Sequence, residues 1–296
     1  MRILVTGGTG FIGQALLPAL VEDGHAVLVL TRQALEGDVN VSYANKLDDV
    51  DAGVEAVINL AGASLAGKRW SAAYKEEIVS SRLQTTSVLG AFFASGVDAP
   101  QVWLNASAIG FYGPSGDEPL AEDAAAGSGF SAELCQAWEA AAVKACPEAT
   151  RLCLLRLGVV LDKDDGAYPQ MAAPFKLGVA NWVGSGSQYL SWVHRQDVVA
   201  AMHFLIREAS LAGPFNVTAP EPVTSRAFCD AMKAAHRTWL TLPMPAPAMR
   251  LLVGEMADEL LLTGQRVLPK ALEESGFAFA YPRIDAALSA IEGRST

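Results

Sequence analysis

The stretch VTGGTGFIG, Val5 to Gly13, carries glycines where a chain must turn sharply and let a ligand touch its backbone. Gly7 and Gly10 permit a tight turn and close approach to a pyrophosphate, and Gly13 lets a following helix pack against the strand before it. That helix reads as Gln14–Glu22, and Phe11 and Ile12 lead into its start, where unbonded N–H groups and the positive end of the helix dipole attract phosphate. The next apolar run ends LVLTR, Leu28 to Arg32. An acidic side chain there would hydrogen-bond a ribose 2′-OH. This chain offers Thr31 and Arg32 instead. A guanidinium pairs with a 2′-phosphate and a carboxylate repels it, so the residues predict NADP(H) as cofactor. The bland alternative for Arg32 is a solvated loop arginine.

Other reactive side chains are dispersed. His25, His194, His203 and His236 are scattered, and Cys135, Cys146, Cys153 and Cys229 form no C-x-x-C pair. No metal site is expected from them, and free thiols fit a reducing cytoplasm. The net charge of −10 argues against non-specific nucleic-acid binding, which needs a basic face. No apolar run reaches the ~18 residues of a membrane span, and Met1–Gly13 lacks the basic region of a signal peptide.

These residues need a frame to hold them. The chain has 296 residues, 51% of them hydrophobic, enough for a large buried core. Apolar runs at 2–6, 26–30, 56–60, 102–106 and 151–157, separated by helical stretches, predict an α/β fold with a doubly wound parallel sheet. Ligands of such folds lie beyond the carboxyl ends of the strands. From about Gly166 the rhythm is broken by prolines and the turn Gly184-Ser185-Gly186, and a helix follows through 197–207. The expected organisation is a dinucleotide-binding domain over 1–165, with 190–222 returning to it. Residues 166–189 and 223–296 are expected to form a smaller C-terminal lobe over the ligand edge.

TGGTGFIG and NLAGA (Asn59–Ala63) resemble the extended short-chain dehydrogenase/reductase superfamily, in its epimerase/dehydratase branch. KEEIVSSRLQTT (Lys75–Thr86), NASAIGFYG (Asn105–Gly113), LRLGVVL (Leu155–Leu161), GSGSQYLSWVHRQD (Gly184–Asp197) and FNVTAPEPVT (Phe215–Thr224) follow in order. With the tail Leu260–Pro282 they resemble one subgroup over essentially the whole chain. Its bacterial and organellar members are often labelled nucleoside-diphosphate-sugar epimerases and end in a domain of unknown function. The resemblance implies a Rossmann-type fold and cofactor contacts at Leu60, Ala61 and Gly62, at Glu77 and Arg82 on the next helix, and at Gly158. Arg82 falls where the superfamily often has a phosphate-facing asparagine, so it could clamp the pyrophosphate; a solvated helix arginine is the alternative.

The superfamily's chemistry uses a Ser or Thr with a Tyr-x3-Lys pair on one helix. There the ammonium lowers the phenol pKa for proton exchange. No tyrosine here has lysine four residues on: the positions after Tyr43, Tyr74, Tyr112, Tyr168, Tyr189 and Tyr281 are Leu47, Ile78, Gly116, Ala172, Val193 and Asp285. Registering Glu139 on the family's acidic position puts Ser131 and Cys135 in the two slots. Ser107 matches the triad serine and Tyr112 is the nearest phenol, so these are the catalytic candidates. Lys68, Arg69 and Trp70 could receive an anionic small-molecule substrate. His194 is the weaker proton-transfer candidate, with Asp197 expected to cap the following helix. Two functions fit: an NADP-dependent oxidoreductase or epimerase-like enzyme, or a non-catalytic NADP(H) sensor or regulatory protein.

Overall fold

Leucine-rich and β-branched runs form seven strands: β1 (Arg2–Thr6), β2 (Ala26–Leu30), β3 (Val41–Ala44), β4 (Ala56–Asn59), β5 (Val102–Ala108), β6 (Arg151–Leu157) and β7 (Gly213–Val217). The computed structural model describes residues 1–50 and 53–293. The strands lie in the order β7-β6-β5-β4-β1-β2-β3 and all pair in parallel. Helices α1 (Phe11–Glu22), α2 (Ala72–Ala94), α3 (Phe130–Ala145), α4 (Tyr168–Lys176) and α5 (Arg195–Arg207) are followed by four more. These are α6 (Ser225–Ala235), α7 (Ala246–Val253), α8 (Lys270–Glu274) and α9 (Ile284–Ile291). This is the doubly wound, Rossmann-type arrangement expected from the sequence. Among the described residues no helix is long and apolar enough to cross a membrane.

The strand period of two sorts the core. Ile3 and Val5 pack with Leu16 and Leu20 of α1 and with Val198, Met202 and Leu205 of α5. Leu4 and Val57 point to the other face, with Leu89 and Phe93 of α2 and Trp103. The order of strands reverses about β1, which lies between β2 and β4. That switch point opens the crevice in which α/β sheets bind ligands. A buried polar ladder fixes the edge: Thr6 Oγ1 donates to Asn59 Oδ1 (2.6 Å), and Asn59 Nδ2 donates to Asn105 Oδ1 (2.7 Å).

Two local expectations need correction. The first helix starts at Phe11, not Gln14, because Gly10 N–H already closes the loop on Gly7 O at 3.0 Å. Asp197 does not cap α5. His194 does, its Nδ1 accepting from Gln196 N–H (3.1 Å), while Asp197 accepts the N–H groups of Ala280 (2.7 Å) and Tyr281 (3.0 Å). The His194 ring stacks on Tyr281 at 4.0 Å, and burial pushes its pKa down to about 4. A neutral buried imidazole with its Nδ1 engaged is a structural group.

A second core joins Tyr168 and Phe175 of α4, Phe228 and Met232 of α6, Leu288 and Ile291 of α9, and Trp192. Trp192–His194 pairs in parallel with Val159–Leu161, which continues from β6, so the second core is tied to the sheet's carboxyl edge.

Candidate functional site

At the switch point Gly7 has φ +70°, and a Cβ on it would come within 2.7 Å of the Leu60 carbonyl and 2.9 Å of Ala61 N. The loop is therefore pressed on the end of β4, and Leu60, Ala61 and Gly62 lie beside it. Gly13 is equally obligatory, since a Cβ there would meet Gly8 O at 2.4 Å. Gly10 differs. It is exposed, and a Cβ on it would touch only Gly7 O, at 3.2 Å. No side chain caps α1, so its first-turn N–H groups around Phe11 and Ile12 remain for a ligand approaching past Gly10. Phe11 is held from above by Arg195, whose Nη1 bonds its carbonyl (3.3 Å) and whose guanidinium lies 5.0 Å from its ring.

The turn after β2 is equally fixed. Thr31 N–H bonds Ala44 O (2.9 Å), and Asn45 Nδ2 holds the carbonyls of Thr31 (2.9 Å) and Gln33 (3.0 Å). Arg32 stands exposed on this turn and has no hydrogen bond or ion pair among the described residues. An exposed guanidinium on a fixed turn suits an anion that approaches along the loop.

Ser107 and Tyr112 stand elsewhere. Both are buried, at 2% and 3% exposure, in a network centred on Arg156 of β6 and Glu139 of α3. Ser107 Oγ donates to Glu139 Oε1 (2.7 Å); Arg156 Nε and Nη2 hold the two Glu139 oxygens at 2.9 and 3.0 Å. Arg156 Nη1 donates to the Tyr112 hydroxyl (2.9 Å), which donates to Asn216 Oδ1 (2.7 Å). Burial raises the Tyr112 phenol above its ordinary pKa. With its partners filled, Tyr112 is not placed to give a proton to a substrate, and the geometry makes both hydroxyls part of the wall between β5, β6 and α3. Arg156 was hidden in RLCLLRL, read as an apolar strand. Its register opposite Ser107 is the signal that reasoning missed.

Along α3 the two slots hold unreactive groups. Burial pushes the Cys135 thiol up to about 11, so it stays protonated, and Ser131 Oγ is buried without a partner. Gly110 packs against both, 3.2 Å from Ser131 Cβ and 3.6 Å from Cys135 Sγ if it carried a Cβ.

Glu77 and Arg82 are not brought together. Five residues place them about 140° apart around the helix; Glu77 is exposed and paired with Lys68 (3.2 Å), whereas Arg82 is buried. Gly158 has a packing reason of its own, because a Cβ there would meet Ser191 O at 2.8 Å and the Thr218 methyl at 2.9 Å. Of the Lys68–Trp70 cluster only Trp70 turns inward; Lys68 and Arg69 stay exposed. Arg69 Nη1 bonds Leu251 O (3.2 Å), and Trp70 is buried edge-on to Phe130. Two more contacts join this region to the C-terminal residues: Lys75 pairs with Glu255 (2.9 Å), and Glu259 accepts the N–H groups of Phe130 (3.3 Å) and Ser131 (3.2 Å). Glu259 thereby caps α3, which has no side-chain cap from its own sequence.

Comparison with known proteins agrees with this arrangement. The model of the NAD dependent epimerase/dehydratase family matches residues 3–218, and a domain of unknown function, DUF1731, matches 244–291. An epimerase family protein of Mycobacterium leprae is 39% identical over 292 residues, covering 97% of this chain and 94% of that one. A crystal structure of the human epimerase family protein SDR39U1 with NADPH has a TM-score of 0.88 to this chain at 30% identity, covering 99% of both. A nucleoside-diphosphate sugar epimerase from Corynebacterium glutamicum has a TM-score of 0.78 at 28% identity, covering 99% of this chain and 58% of that one.

Proposed function

This chain belongs to the NAD dependent epimerase/dehydratase family, and from that membership we propose that it is an NADP(H)-dependent oxidoreductase or epimerase-like enzyme acting on a small molecule. One observation carries the cofactor assignment: an uncapped helix start behind the glycine loop, with the guanidinium of Arg32, unpaired among the described residues, at the end of the neighbouring strand. The residues fit the group. Gly7, Gly10, Phe11, Ile12 and Gly13 would hold the pyrophosphate, Thr31 and Arg32 the 2′-phosphate, and Leu60, Ala61 and Gly62 would flank it. When bound, the cofactor supplies hydride transfer. The chain's own residues orient the reactants, keep water out, and bring the C-terminal lobe of 166–189 and 223–296 over the edge. Four free thiols, three of them buried, suit a reducing cytoplasm.

A second reading has its own support. No tyrosine precedes a lysine by four residues, and the Ser107 and Tyr112 hydroxyls are engaged within the protein. A non-catalytic NADP(H) sensor needs no proton-transfer group. Titration calorimetry with NADPH and NADH on the intact chain tests the cofactor assignment, with NADPH expected to bind at least ~10-fold tighter, the value of one charge-assisted contact. Equal affinities would overturn it. NADPH consumption against carbonyl compounds and nucleotide sugars then separates the readings: turnover establishes the enzyme, and tight binding without turnover across the panel favours the sensor.

A further inference from the structure

Arg156, Arg195, Arg250 and Arg283 each hold a carboxylate, and Arg69 and Arg151 hold backbone carbonyls. Arg266, within the residues that match DUF1731, holds neither. Its Nε is buried without a hydrogen-bond partner, and its two Nη groups make no hydrogen bond or ion pair among the described residues. Arg266 lies opposite Pro119 in register; Asp117 and Glu118, just before that residue, are exposed and do not pair with it.

The backbone around Arg266 is fixed from three sides. Arg266–Val267 pairs in parallel with Pro119–Leu120, which follows β5. Ser191 Oγ donates to Gln265 O (2.7 Å) and accepts the N–H of Val267 (2.9 Å), and Ser191 leads into Trp192–His194, paired with the strand that continues from β6. Thr218 Oγ1, just past β7, donates to Val267 O (3.3 Å). The short strand therefore crosses the carboxyl ends of β5, β6 and β7, on one side of β1 and its glycine loop. Val267 packs inward with Ile109 and Tyr112, so the period of two turns Arg266 to the opposite face. There its guanidinium lies 5.5 Å from the centre of the Tyr189 ring. Gly264 presses on Tyr189, since a Cβ on it would fall 2.2 Å from Tyr189 O.

Two more polar atoms beside this contact are buried without partners. They are Gln188 Oε1, next to Tyr189, and Ser115 Oγ, whose own N–H bonds Gly264 O (3.3 Å). Three such groups around one backbone contact call for a polar ligand. A ring face offsets only part of the cost of drawing a cation out of water. An anion supplies the rest, and a planar guanidinium offers it paired N–H groups.

We propose that Arg266 is the substrate anchor of the cleft, its Nη groups taking the carboxylate or phosphate of an anionic substrate over β5, β6 and β7. The proposal rests on the reading of this edge as the ligand cleft and deepens it by giving the substrate a charge.

The test follows the Arg266 Nε–H resonance by NMR in the uniformly labelled chain saturated with NADP+. The resonance is assigned through its side-chain carbons and confirmed by its loss in Arg266→Lys, which keeps the charge and removes the fork. Sodium acetate or sodium phosphate should shift it saturably, and neutral acetamide should not; the tighter of the two anions names the substrate's group. Arg266→Lys should weaken that anion at least ~10-fold, read from the Tyr189 and Gly264 amides, and leave NADP+ affinity unchanged. No saturable shift with either anion, an equal shift with acetamide, or unchanged anion affinity in the variant overturns the anchor. Should Arg266→Lys fail to fold, Tyr189→Leu keeps the guanidinium and removes its ring, and should weaken the anion response about 3-fold; an unchanged response overturns the anchor. Calorimetry on the same sample reads NADP+ binding separately. An anion response in a chain that does not bind NADP+ keeps the anchor and removes the cofactor reading. NADP+ binding without an anion response does the reverse.

Discussion

Glu139→Ala is expected to destabilise the fold by about 3–5 kcal/mol, the range for removing one partner of a buried ion pair. The loss comes mainly from what remains. Arg156 would stay buried at 5% exposure with its Nε and Nη2 stripped of acceptors, and Ser107 would lose the oxygen it donates to. Replacing both charges, as in Glu139→Leu with Arg156→Met, should recover much of the loss, because two apolar groups of similar size leave no orphaned charge. Urea denaturation of the wild type and the two variants gives the comparison. A loss under about 1 kcal/mol in the single variant would mean that water reaches Arg156 and that the network is not the closed wall described above.

Gly10→Val is expected to reduce binding of NADPH and NADH alike by on the order of 100-fold or more. Two methyls would stand between the α1 start and the approaching phosphates, and losing two charge-assisted hydrogen bonds at about 1.5–3 kcal/mol each gives that magnitude. The fold should survive. Gly10 has φ −85° and ψ 178°, a conformation open to valine, and its only close neighbour is Gly7 O. Circular dichroism checks the fold and calorimetry the affinity. Normal binding by a folded variant would place the phosphates elsewhere.

The parallel sheet and its glycine loop were legible because their signals are local. Apolar runs mark buried strands, and Gly7 with its positive φ and Gly13 against Gly8 answer backbone needs within a few residues. Val41–Ala44 escaped notice because an edge strand of four residues, two of them Ser42 and Tyr43, carries little periodicity. The Arg156–Glu139 network was illegible for another reason. Its members come from β5, β6, α3 and β7, and only the sheet register brings Ser107 opposite Arg156. Arg82 is buried with its Nε unpartnered among the described residues, which helix spacing alone does not reveal. Glu259 reaches α3 from 128 residues away, beyond any spacing rule.

The proposed recognition of the cofactor's 2′-phosphate by Arg32 has a direct measurement. A double cycle measures it: NADPH and NADH titrated into the wild type and into Arg32→Ala. The account predicts that the variant loses about 1.5–3 kcal/mol with NADPH and almost nothing with NADH, so that the difference between the cofactors disappears. Equal losses with both cofactors, or none with either, would contradict it.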